Sequence, residues 1–309
     1  MKTIFPDYFE NFKCIAEKCR HNCCIGWEID IDPQTLACYQ SAEGEFGKRL
    51  RKNISLEGTP HFILGENERC PFLNKKNLCD IFINLGESKL CSICTEHPRF
   101  YNTFDTHNEA GLGLCCEEAA RLIITDKTPF KLNLTEEMQN EVTILREKIF
   151  QILQDYSKDI YKRTENMLSL FFKESPQLSL KAFLPVFEKL ERLDEDWSTL
   201  LSSLNDFDEE KCEPFRSFMK ERESEYEQFL CYLIYRHFSK SATSFEMALY
   251  SLFAVLCFKL VFAMGERLFS QNGNFTTENQ LEIMRLFSSE IEYSDENIDI
   301  ILDELEALI

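Results

Sequence analysis

The rhythm of apolar and polar positions changes near residue 125. Before it, apolar stretches are short and broken by polar loops. Trp27-Glu28-Ile29-Asp30-Ile31-Asp32 alternates apolar and acidic residues, the period of a half-buried strand. Asp32-Pro33 then supplies an N-cap and a first helical residue, which predicts a short helix carrying Cys38. The polar tetrad Asn74-Lys75-Lys76-Asn77, between Cys70-Pro71-Phe72-Leu73 and Leu78-Cys79, predicts a hairpin turn. Residues 80–85 read as a short helix stopped by Gly86. Residues 100–104 and 111–114 are expected to pair across a polar loop. Glu117 and Glu118 mark the first turn of a helix running to residue 124.

After residue 125 the period lengthens. Met138, Val142, Leu145, Ile149, Ile152 and Tyr156 recur at helical steps. Helices fit residue 178 onward more loosely, given Pro176 and Pro185, then clearly at 215–238 and 245–269. Asn272-Gly273 ends the last of these, Thr277 with Gln280 suggests a capping box, and 295–308 closes the chain as an amphipathic helix. The expected fold is mainly α. A cysteine-rich, loop-rich α+β metal-binding domain spans residues 1–125, followed by an α-helical domain over 126–309 for substrate or partner binding.

Composition narrows the function. A net charge of −19 over 309 residues opposes binding to a phosphate backbone, so no nucleic-acid partner is expected. The segment 247–265 is apolar apart from Lys259 and a few small polar groups. A charge placed within the bilayer is costly, so a buried core helix is expected and no membrane partner. Asp7 and Glu10 fall where a secretory signal needs apolar residues, which points to a cytoplasmic protein.

The cysteines change the picture most. Of 14, eleven lie before residue 117, and only Cys212, Cys231 and Cys257 follow. In a reducing compartment such crowding favours metal or redox chemistry over disulfides. Cys231 and Cys257 sit among apolar residues and read as small core side chains. Soft thiolates select zinc, copper(I) or an iron–sulfur cluster. Few of the spacings match paired zinc knuckles, and adjacent Cys23-Cys24 suits a single ion poorly, whereas a cluster tolerates irregular spacing. His21 and His97 read as loop or supporting histidines. Glu28, Asp30, Asp32 and Tyr101 are candidate bases, each equally readable as a solvated side chain. Arg99 could tune the charge of a thiolate-rich site.

The ordered set Cys14, Cys19, Cys23-Cys24-x-Gly26-Trp27, Cys70-Pro71-Phe72-Leu73, Leu78-Cys79-x-Ile81, Leu90-Cys91-x2-Cys94-x3-Pro98-Arg99 and Cys115-x-Glu117-x-Ala119-Ala120-Arg121-Leu122 resembles the flagellin lysine-N-methylase family. That family is similar in cysteine pattern to broader zinc- or iron-chelating proteins. The resemblance covers residues 7–125. Cys116 departs from it, standing where the family has Pro, so Cys115 is the expected ligand. The resemblance implies methyl transfer from S-adenosylmethionine to lysine ε-amines of flagellin or another Lys-displaying protein. It also implies an iron–sulfur cluster, 4Fe-4S in type, with zinc as the alternative. The implied metal ligands are Cys14, Cys19, Cys23, Cys24, Cys70, Cys79, Cys91, Cys94 and Cys115. No Gly-x-Gly-x-x-Gly follows a strand, which opposes a Rossmann-type methyltransferase. The three-cysteine spacing of radical enzymes using the same cofactor is broken at Gly26. The rival reading is a non-catalytic zinc- or iron-binding protein with a helical interaction domain.

Overall fold

The computed structural model describes residues 2–174, 176–241 and 243–309, and the chain divides after Phe12 and again after Phe100. Residues 13–100 form one unit; the residues up to 12, with 101–309, form the other. Strand β1 (Thr3–Ile4) therefore belongs to the second unit, although it precedes the first in sequence.

In the 13–100 unit, Asp32 caps helix α1 (Pro33–Ser41), its Oδ1 accepting the Thr35 N–H at 2.9 Å. Helix α2 (Gly44–Lys52) follows, then a small antiparallel hairpin of β2 (Ile54–Ser55) and β3 (His61–Phe62), with Ile54 opposite Phe62. The alternation at 27–32 is real, since Ile29 and Ile31 are buried while Glu28 and Asp30 are exposed. It does not form a regular strand. The Phe62 N–H reaches the Ile29 carbonyl and the Ile31 N–H reaches that of Pro60, but Pro60 has no N–H to continue the ladder. The tetrad 74–77 makes its turn, with the Asn74 N–H on the Leu78 carbonyl and Asn77 at φ +56°. Helix α3 (Asp80–Leu85) stops at Gly86, whose φ of +88° suits glycine, and α4 (Ser92–Glu96) completes the unit. Ile29, Ile31, Tyr39, Leu50, Phe62 and Phe72 form its core together with Cys70 and Cys91.

Strand β4 (Arg99–Thr103) carries the chain from one unit to the other, and β5 (Asn108–Leu112) joins it in a three-stranded sheet ordered β1-β5-β4. The pairing expected at 111–114 lies earlier, because the Leu114 N–H turns to the Tyr232 hydroxyl at 3.3 Å instead of a neighbouring strand. Helices α5 (Glu117–Ile124), α6 (Glu141–Leu153), α7 (Ile160–Leu168), α8 (Leu180–Lys189), α9 (Glu195–Ser202) and α10 (Glu213–Met219) follow. Then come α11 (Glu223–Phe238), α12 (Ser244–Asn272), α13 (Thr277–Phe287) and α14 (Asp295–Glu306). The chain is thus mainly helical. The helix read at 215–238 is two, parted by a 3₁₀ turn at Lys220–Arg222. The expected Thr277/Gln280 box sits one residue earlier, where Thr276 Oγ1 takes the Asn279 N–H and Asn279 Oδ1 takes the Thr276 N–H.

Helices α11 and α12 form the centre of this unit. Apolar on nearly every side, α12 is long and apolar enough to cross a membrane, but 89% of its most apolar window is buried within the protein. It is a core helix. Lys259, the cation in its apolar middle, reaches Glu209 at 3.2 Å. A capping box between Thr243 and Glu246 starts it, and Gly273 at φ +68° ends it.

Candidate functional site

Backbone pairing draws several thiols of the 13–100 unit together. The Cys70 N–H donates to the Cys24 carbonyl at 2.8 Å, and Ile25 and Arg69 form a bridge beside it. The turn at 74–77 returns the chain so that Leu73 bridges Cys79 and the Asp80 N–H meets the Phe72 carbonyl at 2.8 Å. Cys91 is the N-cap residue of α4 and Cys94 lies one turn on, the two thiols hydrogen-bonded. The Tyr39 hydroxyl, held by the Lys89 carbonyl at 2.7 Å, stands 3.6 Å from Cys91 Sγ. Cys24, Cys70, Cys79, Cys91 and Cys94 accordingly feel one another's charge.

Their acidities diverge. Burial pushes the Cys70 thiol up to about 11 and raises Cys79 as well. Cys23 falls to about 5, held down first by the hydrogen bond from Cys24 and then by His97, while Cys24 rises as the donor of that bond. Cys94 rises as donor to Cys91, whose thiol that bond and Tyr39 lower against the cost of burial. Soft donors are therefore gathered, yet among the described residues no three His, Cys, Asp or Glu side chains converge to hold a single metal ion.

The other sequence-predicted ligands stand differently. Exposed Cys14 accepts the Ala16 N–H at 3.4 Å, and the Cys19 thiol meets the His21 carbonyl at 3.2 Å. Cys115 lies in the helical unit, buried, with its thiol pushed up to about 12 by burial despite a hydrogen bond from Tyr293. Cys38 rides on α1, and Cys212, Cys231 and Cys257 are buried in the helical unit. Among the candidate bases, Asp32 is structural: against some burial, the Ser92 and Thr35 N–H groups hold its carboxyl well below the usual range. Glu28, Asp30 and Tyr101 are exposed, and Arg99 donates to the Thr95 carbonyl at 3.3 Å.

Sequence reading missed a polar knot in the helical unit. Glu292 is buried on a π-helical turn, Ser288–Glu292, where it accepts from Tyr232 Oη at 2.9 Å and pairs with Arg236 at 3.3 Å. His237 Nε2 stands 3.0 Å from it, and Nδ1 is buried without a hydrogen-bond partner among the described residues. Burial lowers the His237 pKa; Glu292 is lowered too, by Arg236 and His237 against its own burial. The available signal was Arg236-His237 within an otherwise apolar helical run. Tyr39 left no signal.

A mainly helical protein with a thiol-gathering unit is the class these features define. The model of the FliB lysine N-methylase C-terminal domain matches residues 106–308, and the chain belongs to that family. The match lies in the helical part that the cysteine pattern left generic. A flagellar biosynthetic protein FliU of Salmonella muenchen is 27% identical over 159 residues, covering 49% of this chain and 93% of that protein. Lysine-N-methylases of Salmonella choleraesuis and Salmonella typhimurium are each 28% identical over 138 residues, covering 41% of this chain. The matched part spans about a third of those two methylases, 34% of each. No solved structure matches the chain.

Proposed function

We propose that the chain is a protein lysine N-methyltransferase acting on a flagellar protein, flagellin foremost, with S-adenosylmethionine as donor and an iron–sulfur cluster on the 13–100 unit. Membership of the lysine N-methylase family over residues 106–308 carries the reading. The donor chemistry supports the cluster: Cys24, Cys70, Cys79, Cys91 and Cys94 would hold it, and irons spread over several ångströms need no single point of convergence. Cys14, Cys19, Cys23 and Cys115 complete the spacing pattern. When bound, such a cluster supplies one-electron chemistry.

The chain's own residues support the site in other ways. Tyr39 Oη orients Cys91, and Ile29, Ile31, Phe62 and Phe72 keep water from the buried thiols. Transfer joins the amine nitrogen to the methyl carbon while the sulfonium sulfur leaves with the bonding pair, and the amine sheds one proton. Anaerobically prepared protein, given flagellin and methyl-labelled S-adenosylmethionine, is expected to add one methyl mass and the label at flagellin lysines. Iron-loaded protein that transfers no label would remove the reading.

A further inference from the structure

A groove of ≈ 1010 Å³ opens on the 13–100 unit between the hairpin β2–β3 and the segments around Gly26 and Glu68. Its walls join two chemistries. Leu56 and Ile63, 63% and 49% exposed, supply apolar surface over the buried Phe62. Glu28, Glu57 and Glu68 supply three exposed carboxylates, and no Lys or Arg lines the groove. None of the three makes an ion pair with another described residue. Unpaired carboxylates above exposed apolar walls match one side chain closely: lysine, with its apolar stem and cationic head. The volume is at the upper end for small-ligand sites, enough for such a side chain with flanking backbone.

The position matters as much. The Gly26 N–H donates to the Glu68 carbonyl at 3.2 Å, in the same paired segments that carry Cys24 and Cys70. Gly26 stands two residues from Cys24 and Glu68 two residues from Cys70, so the groove wall is built on the same short segments as two of the gathered thiols. Gly26, at φ +81°, keeps the wall clear of a side chain beside Glu68 Oε2.

We infer that this groove seats the lysine-bearing segment of the protein substrate. The identity of the occupant rests on the methylase reading. The test uses the full chain and a fluorescein-labelled peptide, Gly-Ser-Ala-Val-Lys-Val-Ala-Ser-Gly, read by fluorescence anisotropy. The peptide is expected to bind, and to bind about tenfold more weakly to the triple variant Glu28→Gln, Glu57→Gln, Glu68→Gln, as three exposed charge contacts would give. Acetylating the peptide's lysine should weaken binding to the same degree. Exposed, unpaired carboxylates changed to amides of equal size leave folding intact, which far-UV circular dichroism checks. Equal binding by the triple variant, or by the acetylated peptide, overturns the inference. Methyl transfer to flagellin is measured alongside. Lysine- and carboxylate-dependent binding without transfer keeps the groove and removes the methylase reading; transfer with binding indifferent to the carboxylates does the reverse.

Discussion

Burial makes the Cys70 thiol a reluctant acid, so a metal that binds it must displace a proton. Replacing Cys70 or Cys91 by Ser trades a soft donor for a hard one, and iron and acid-labile sulfide are expected to fall together with methyl transfer. The same change at Cys231 or Cys257, both buried in the helical unit, should spare the metal and cost about 1 kcal/mol in denaturant unfolding. A full site in Cys70→Ser protein would refute the assignment. His237 invites a pH experiment. Burial, opposed by Glu292 and assisted by Arg236 and Lys240, holds its folded pKa below the unfolded value. The unfolded chain then binds more protons, so stability is complete above about pH 6.5 and is lost as pH falls toward the lower folded pKa. Glu292, also depressed, adds a loss in the same direction at lower pH. Thermal unfolding should show the midpoint dropping below about pH 6.5, and His237→Gln should flatten that upper limb.

At the scale of elements, Gly113 ends β5 where backbone passes against another part of the helical unit. A Cβ there would overlap Tyr293 Oη and lie 3.1 Å from Arg236 Nη1. Gly113→Ala is therefore expected to destabilise by about 1–3 kcal/mol in urea unfolding, and Tyr293→Phe in the same chain to return part of it. Equal midpoints for Gly113→Ala and wild type would show that Tyr293 simply moves aside. Local chemistry explains what the sequence made legible: Asp32 caps, Gly86 stops α3, and the 74–77 turn closes on its own side chains. The alternation at 27–32 gave the correct faces but not the ladder, which Pro60 interrupts. What stayed hidden depends on distant partners. Glu292 is more than fifty residues from the Tyr232–His237 segment that surrounds it, and the Leu114 N–H is claimed by Tyr232. Cysteine spacing named the residue types for the site, but could not say that Cys115 folds with the helices.

For the molecule as a whole, the two units draw stability from different sources. The helical unit buries long apolar helices, whereas the 13–100 unit has short elements and places Cys70 and Cys91 within its core. Removing metal from the intact chain with a chelator should open residues 13–100 to limited proteolysis and leave 101–309 resistant. Unchanged protection of 13–100 would mean that this unit stands without its ligand. The placement of β1 also orders events during synthesis. Its partner β5 lies beyond the whole 13–100 segment, so β1 leaves the ribosome with nothing to pair with. At about 5–20 residues per second it waits roughly 5–20 s for β5, and the remaining helices take roughly 10–40 s beyond residue 100. Through that interval the thiol-bearing unit is complete while its neighbour is still being made, so under the cluster proposal the thiols would meet their metal before the family domain has formed.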